Sequence, residues 1–483
     1  MVTKAIAALL REGVKKGSKK VKDARSKVDE AFTPKKLKEE EKALKAKQRK
    51  RRKKEKEQQA NPFETKRGRK AYSEGMKPKF EKQTKRRLKT EKKETGELKG
   101  RKTEASRGRQ AKTLIGGAAL TAAGAAGIGV AISVAHSGLE DFLIVDRKGV
   151  GSSFAAWPAE TRFITPSFPS NSIGMLDLNS VAVGVSPAFS MRIEHPTGQE
   201  FAEHLQGLAD FFELPIRENT NILSLGKAGG LFHLETEEGT LFARKVIWAA
   251  GEYQYPSQGA FLGSELCLHT SKIKSYGDLS GEDYLIIGGY ESGIDAAYHL
   301  SKQGRRVRVF DQNCPWGEES SDPSVALSTF TFERIKSIEF ETNVELFSEK
   351  SVQSITFDGS IYELKTEDGE VFQSKNQPLL ANGFDGSHKF ISNLFEHRDD
   401  GFAELTDQDE STITPGLFLA GPMVRHDGHI FCFIFKYRQR FAIVAQAIAE
   451  SFNLPTDEFV EAYRSWGMYL DDLSCCGQEC LTC

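Results

Sequence analysis

Four of the seven cysteines fall in the last nine positions, as Cys475-Cys476-Gly-Gln-Glu-Cys480-Leu-Thr-Cys483. Thiols at the spacing of Cys480 and Cys483 close a disulfide and exchange it with an incoming one, so both are candidate catalytic residues of a redox relay. Four thiolates also suffice to hold Zn²⁺, but the adjacent Cys475-Cys476 is unlike the usual paired knuckles, and no metal ligand is assigned. A reduced tail without a role stays open beside these readings. His269 is the third candidate catalytic residue, a polar group near a reacting centre, with a structural histidine as the alternative. Arg425-His-Asp-Gly-His429 also has ligand residue types. It precedes an apolar run over 430–435 around Cys432, so it reads as a loop entering a buried helix on a pocket wall. Asp295 and His299, one helical turn apart, read as a local pair on a helix face.

Such groups need elements to hold them, and the clearest unit covers residues 283–311. Residues 284–287 form a strand and Gly288-Gly289 a tight turn. Residues 291–303 form a helix with Ile294, Ala297 and Leu300 on one face, Gly304 stops it, and 306–311 form the next strand. A strand, a glycine turn, a helix and a second strand ending in an acid is the layout that cradles a pyrophosphate on backbone N–H groups. The frame here is Gly288-x-Tyr290-x-x-Gly293, with Gly289 and Ser292 completing the turn. Tyr290 stands where glycine normally lets the backbone reach the pyrophosphate, so a unit that no longer binds nucleotide is the alternative. Asp311 at the strand end suits a free ribose 2′-hydroxyl and hence NADH. Arg305 and Arg306 close by keep NADPH open.

A second such unit is read at residues 113–146. No charge appears between Lys112 and His136, and Gly and Ala predominate there. The stretch is long enough to span a bilayer. The short apolar strand Phe142-Leu-Ile-Val-Asp146 that follows favours a nucleotide fold instead, in the frame Ala122-x-Gly124-x-x-Gly127. Residues 117–121 are poor strand formers. A degraded first strand, or a foreign front end joined here, is therefore expected.

Two such units in one chain resemble the two-dinucleotide-binding flavoproteins, the flavin-containing monooxygenases and the thioredoxin-reductase-like group. Further pieces follow in order. Val150-Gly-Ser-Ser-Phe-Ala-Ala-Trp157-Pro158 resembles the Gly/Trp loop of monooxygenase-like members. Val246-Ile-Trp-Ala-Ala-Gly251 resembles the family's Ala-Thr-Gly strand, with Ala250 for Thr, and Leu379-Leu-Ala-Asn-Gly383-Phe384 resembles the second such strand. Phe261-Leu-Gly263 with His269-Thr270 is similar to a Phe-x-Gly-x-x-x-His motif carrying two extra residues. Thr414-Pro-Gly-Leu-Phe-Leu-Ala-Gly421 is similar to the closing FAD motif, with Pro422 for the usual Asp. The resemblance covers roughly residues 120–450.

It implies an α/β fold with two Rossmann-type domains, an FAD domain with an inserted NAD(P) domain. FAD would be held by Gly124, Gly127, Asp146, Trp157, Gly251 and Gly421, and NADH or NADPH by Gly288, Gly289, Ser292, Gly293, Asp311 and Gly383. The implied reaction is hydride transfer from nicotinamide to flavin. A monooxygenase would pass the electrons to oxygen and a small-molecule substrate, and the Trp loop and the Phe/Gly/His segment favour this class. A disulfide reductase would pass them to a thiol pair, which the tail supports. From another class, a non-catalytic flavoprotein fold tethered to nucleic acid or membrane remains open.

The chain has 483 residues and a formal charge of zero, and that zero is divided. Residues 1–112 hold 41 Lys and Arg against 16 Asp and Glu, a net of +25, and the remainder carries −25. Runs such as Arg49-Lys50-Arg51-Arg52-Lys53-Lys54 cannot build a core, so residues 1–112 are expected to form a basic, largely disordered or helical extension. It could attract a polyanion, either nucleic acid or an anionic membrane, or be a plain solvated linker. An evenly built single globule and a cysteine-stapled secreted scaffold are both excluded. The expected organisation is the extension at 1–112, the FAD domain at 113–281 and 386–470, the NAD(P) domain at 282–385, and a cysteine tail at 471–483. A cytoplasmic location is expected, with membrane association through 113–135 as the alternative.

Overall fold

Strand β1 (Thr113–Thr121) runs through the middle of a seven-stranded sheet despite its Gly- and Ala-rich sequence. The computed structural model describes residues 113–169, 176–320, 322 and 324–473. β1 pairs in parallel with β2 (Phe142–Val145) on one side and with β6 (Gly239–Trp248) on the other. Small residues suit this place. Gly117 lies so close to Asp141 that a Cβ would stand 1.9 Å from the Asp141 carbonyl oxygen. Ala118, Ala119 and Leu120 are fully buried. Burial and pairing on both sides thus override weak strand propensity, and the expected degraded strand is a regular one with a bulge between Ile115 and Ala118.

The rest of the apolar stretch is helix α1 (Ala125–His136), buried at every position but Ala135. Ile128, Val130, Ile132 and Val134 have no exposure, each contributing about 1.5–3 kcal/mol by leaving water. A helix apolar all round is what a membrane span looks like in sequence, and here protein covers it. Among the described residues no helix is long and apolar enough to cross a membrane.

The sheet order is β3-β2-β1-β6-β5-β4, with β3 (Ile216–Arg217), β4 (Ile222–Ala228) and β5 (Leu231–Thr236). The strand β15 (Leu417–Leu419) returns late in the chain to pair in parallel with β6. Helix α2 (Gly198–Phe211) begins with a capping box: Thr197 Oγ1 accepts from Glu200 N at 3.2 Å, and Glu200 accepts from Thr197 N at 2.8 Å.

A second sheet, wholly parallel, has the order β10-β9-β8-β14-β7. Its strands are β7 (Leu268–His269), β8 (Asp283–Ile287), β9 (Arg306–Phe310), β10 (Val344–Phe347) and β14 (Leu379–Leu380). Between β8 and β9 runs helix α3 (Glu291–Ser301), whose Ile294, Ala297 and Leu300 enter the core as their spacing requires. Helix α4 (Thr329–Ile335) follows β9, and β11 (Val352–Phe357), β12 (Tyr362–Thr366) and β13 (Val371–Ser374) form a small antiparallel sheet. The hairpin β16 (Arg425–His426) and β17 (His429–Ile430) leads into helix α5 (Ile434–Tyr437) and then α6 (Phe441–Ser451). α6 packs on α1, where a Cβ on Gly129 would stand 2.2 Å from the Phe441 ring.

Candidate active site

Both glycine turns sit at the C-terminal ends of parallel strands, where an open α/β sheet leaves its crevice. In the first, Ala122 N donates to Val145 O at 2.7 Å and Ala123 N to Asp146 Oδ2 at 2.7 Å. Asp146 Oδ1 accepts from Lys148 N at 2.7 Å and Gly149 N at 2.6 Å. The carboxylate assigned above to ribose binding is thus tied to the backbone of two loops and holds the turn in shape. Gly127 allows the helix to close on the strand, because a Cβ there would stand 1.9 Å from Ala122 O. Gly124 is different. A Cβ there would meet nothing within 4 Å, and α1 begins with no side-chain cap, so its first N–H groups face open space.

That space is part of a cavity of about 1340 Å³. Gly124, Asp146, Trp157, Gly251 and Ser292 among the proposed cofactor residues line it. One wall is aromatic: Trp157 lies 5.0 Å from Phe163 and 5.3 Å from Phe154, and Phe163 lies 4.5 Å from Phe201 between ring centroids. Unfilled N–H groups at a helix N-terminus, a turn without side chains and an apolar wall fit a dinucleotide carrying a flat ring system.

The second turn copies the first. Gly288 N donates to Phe310 O at 2.8 Å, Gly289 N to Asp311 Oδ2 at 2.6 Å, and a Cβ on Gly293 would stand 1.9 Å from Gly288 O. The residue capping each helix has the same backbone, φ −81° and ψ −167° at Gly124, φ −80° and ψ −168° at Tyr290. The space open at Gly124 is taken by a phenol ring at Tyr290, whose hydroxyl donates to Val325 O at 2.6 Å. Trp316 covers the neighbouring backbone, since a Cβ on Gly289 would stand 2.4 Å from its ring. The backbone of this seat fits a nucleotide pyrophosphate, and the side chain of Tyr290 stands in it.

A family model described as pyridine nucleotide-disulphide oxidoreductase matches residues 121–421. The chain belongs to this family. The oxidoreductase CzcO-like of Geobacillus kaustophilus is 35% identical over 112 residues, which span 22% of this chain and only 32% of that relative. Two solved structures share the fold. Bacillithiol disulfide reductase Bdr (YpdA) from Staphylococcus aureus has a TM-score of 0.57 at 20% identity, covering 70% of this chain and 99% of that one. A flavin-containing monooxygenase from Stenotrophomonas maltophilia has 0.54 at 14%, with the same coverage. The family indicates FAD and NAD(P)H as the cofactors.

Within this family frame the remaining expected residues fall into place unevenly. Gly251, Gly383 and Gly421 have φ of +65°, +80° and +105°, turns that favour glycine at the strand ends. His269 is buried, and both ring nitrogens are engaged: Nε2 donates to Gly383 O at 3.0 Å, and Nδ1 meets Ser271 Oγ at 2.9 Å. It clips two segments together, the structural alternative named above. Cys480 and Cys483 lie outside the described residues. The Arg425–His429 segment is a hairpin rather than an open loop. Its His426 Nε2 meets buried Asp409 at 2.6 Å, and Arg440 approaches the same carboxylate at 2.9 Å. Asp295 and His299 form the expected helix-face pair at 3.4 Å, and Thr161 and Arg334 join it.

The groups that no motif indicated are Glu252 and Cys432, both on the cavity wall. Burial pushes the Glu252 carboxyl up to about 7, against the opposing pull of Arg425. Burial also raises the Cys432 thiol, while a hydrogen bond from Ser324 and the charges of Lys436 and Arg425 pull it down. In sequence, Glu252 is merely the residue after the Ala-Ala-Gly strand, and Cys432 a small apolar residue in an apolar run.

Proposed function

We propose that the chain is an FAD-dependent, NAD(P)H-oxidising disulfide reductase that engages its substrate through Cys432. The observation that carries this reading is the position of that thiol on the wall of the cavity that begins at the open helix N-terminus of the first glycine turn. The turn 122–124 and the first N–H groups of α1 would hold the FAD pyrophosphate, and Trp157 and Phe163 would keep water from the ring system. Bound FAD supplies the two-electron carrier between NAD(P)H and the acceptor. Cys432 Sγ lies 3.0 Å from Ser324 Oγ, which in turn accepts from Lys436 Nζ at 2.8 Å. These donors pull the thiol down against the larger upward push of burial.

The Cys432 thiolate attacks one sulfur of a substrate RSSR. A Cys432–S–R bond forms, the substrate S–S bond breaks, and RS⁻ leaves and takes up a proton. Two electrons originating from NAD(P)H then cleave the mixed disulfide, returning the Cys432 thiolate and releasing the second thiol. In sum, NAD(P)H, one proton and RSSR give NAD(P)⁺ and two RSH. The full-length fold shared with bacillithiol disulfide reductase supports this class. The aromatic wall and the fold shared with a flavin-containing monooxygenase support a second reading, in which oxygen is the acceptor.

Anaerobic NAD(P)H oxidation with cystine or 5,5′-dithiobis(2-nitrobenzoate) tests the proposal. Disulfide-dependent turnover is expected, falling at least ~100-fold in Cys432→Ser by loss of the nucleophile, a larger loss than in the NAD(P)H half-reaction. Cys480→Ser with Cys483→Ser separates a tail relay, which would lose turnover instead. Oxygen-dependent oxidation without disulfide reduction would overturn the proposal in favour of the second reading.

A further inference from the structure

A short turn joins the thiol of Cys432 to the ring that stands in the second nucleotide seat. Asp322 folds the turn on itself: its Oδ1 accepts from Ser324 N at 2.9 Å, and its carbonyl accepts from Val325 N at 3.0 Å and Ala326 N at 3.1 Å. Helix α5 holds one side. Lys436 Nζ donates to the two Asp322 carboxylate oxygens at 2.7 and 2.8 Å and to Ser324 Oγ at 2.8 Å. Cys432 Sγ lies 3.0 Å from that same Oγ. The other side holds the start of α3. Val325 O accepts from the Tyr290 hydroxyl at 2.6 Å, and Ser328 N donates to Glu291 Oε1 at 2.6 Å. Ala326 and Leu327 are buried, which fixes the far end of the turn. Val325 and Tyr290 are 41% and 37% exposed, so the ring and its acceptor move into solvent without opening the core.

Ser324 and Val325 are adjacent, so a shift of the hydroxyl that meets Cys432 moves the carbonyl that holds Tyr290. A pyrophosphate entering the second seat must displace that ring, and the bond to Val325 O opposes it. We propose that Ser324-Val325 couples the two sites: it holds Tyr290 in the seat while the thiol is free, and releases it once Cys432 carries a substrate sulfur. This rests on Cys432 being the thiol that engages the disulfide. The mixed disulfide replaces an S–H group by a sulfur with neither proton nor charge and places the R group beside Ser324 Oγ, so the 3.0 Å contact is lost. NAD(P)H then binds the substituted enzyme more tightly than the free one. By linkage, a bound nucleotide favours the mixed disulfide by the same factor. The chain thus draws reducing equivalents when a disulfide is engaged, and less readily before.

The test uses the full-length, FAD-loaded protein, with NAD⁺ and NADP⁺ as probes so that the flavin stays oxidised. Methyl methanethiosulfonate converts Cys432 to its S–S–CH₃ form with loss of methanesulfinate, and mass spectrometry of the Cys432 peptide confirms it. Calorimetric titration gives the nucleotide Kd before and after. Kd is expected to fall about 3–10-fold on modification, the worth of one hydrogen bond. Tyr290→Phe lacks the bond from the start. It should bind more tightly than the wild type and change less than about twofold on modification. Lys436→Met, which frees Asp322 and Ser324, should also bind more tightly, and Lys436→Arg should return towards the wild-type value. An unchanged Kd in the modified wild type overturns the coupling, and so does an equal fall in treated Tyr290→Phe or treated Cys432→Ala. Cystine reduction is measured apart: its absence removes the reductase reading, while the Kd values still decide the coupling.

Discussion

The two glycine turns of this chain share one hydrogen-bonded frame and differ in which position carries a side chain. In the first, the turn residue is Ala122 at φ 70°, and the helix cap is Gly124. In the second, the turn residue is Gly288 at φ 101°, and the cap is Tyr290. The first is therefore strained and open, the second relaxed and covered. What both retain is the aspartate at the following strand end, bound to the N–H of Ala123 or Gly289, and the helical glycine packed on the turn carbonyl. The frame is thus a property of the fold. What differs is the cover: open space at Gly124, and the rings of Tyr290 and Trp316 at the second turn.

The frame is the part whose loss has the largest effect. In Gly127→Ala the new methyl meets backbone at 1.9 Å, and neither the Ala122 carbonyl nor the helix start can retreat without breaking the turn. A loss of about 3 kcal/mol is expected, at the upper end of overpacking costs, together with loss of FAD from the purified protein. A thermal melt with flavin absorbance measures both. Gly293→Ala, with the same 1.9 Å contact in the second turn, should cost similar stability and leave flavin content near that of the wild type. Equal loss of flavin in both variants would mean that the two seats do not act separately.

Sequence carried much of this frame. The glycine spacing, the strand-end acids and the helix face of Ile294, Ala297 and Leu300 follow from local periodicity, and the structure puts them where that periodicity requires. Three features were not legible, for different reasons. β1 is made of poor strand formers, because its place between β2 and β6 rewards small residues that no propensity scale credits. Asp146 was read as a ribose ligand from its position, and its bonds to three N–H groups of the adjacent loops could not be read from the sequence. Glu252 and Cys432 come to one cavity wall only through the tertiary fold, since β6 and the segment before α5 are far apart in the chain. The departure at Tyr290 was visible, but its bond to Val325 was not.

That bond sets the next expectation. In Tyr290→Gly the ring leaves the second seat, with Trp316 still beside Gly289, and the KM for NAD(P)H should fall about tenfold, a gain of ~1.4 kcal/mol. Tyr290→Phe, which keeps the ring and loses only the 2.6 Å bond to Val325 O, should fall between the two. A KM unchanged in Tyr290→Gly would show that the ring does not obstruct the nucleotide and that the difference between the turns is one of sequence alone.

The smallest effect belongs to the strained residue. An L-residue in the left-handed region costs roughly 1–2 kcal/mol, while a glycine there loses about 0.5–1 kcal/mol of chain entropy on folding. Ala122→Gly removes the first cost and incurs the second. A net gain of about 0.5–1 kcal/mol is expected, read as a small rise in the melting temperature of the FAD-loaded protein. The methyl of Ala122 also lines the cavity, and removing it leaves the backbone N–H groups that face the pyrophosphate in place. FAD affinity should therefore hold or improve. A fall in melting temperature would mean that the Ala122 methyl makes packing contacts worth more than the strain it costs, and the first turn would then be tuned for contact rather than tolerated in spite of its strain.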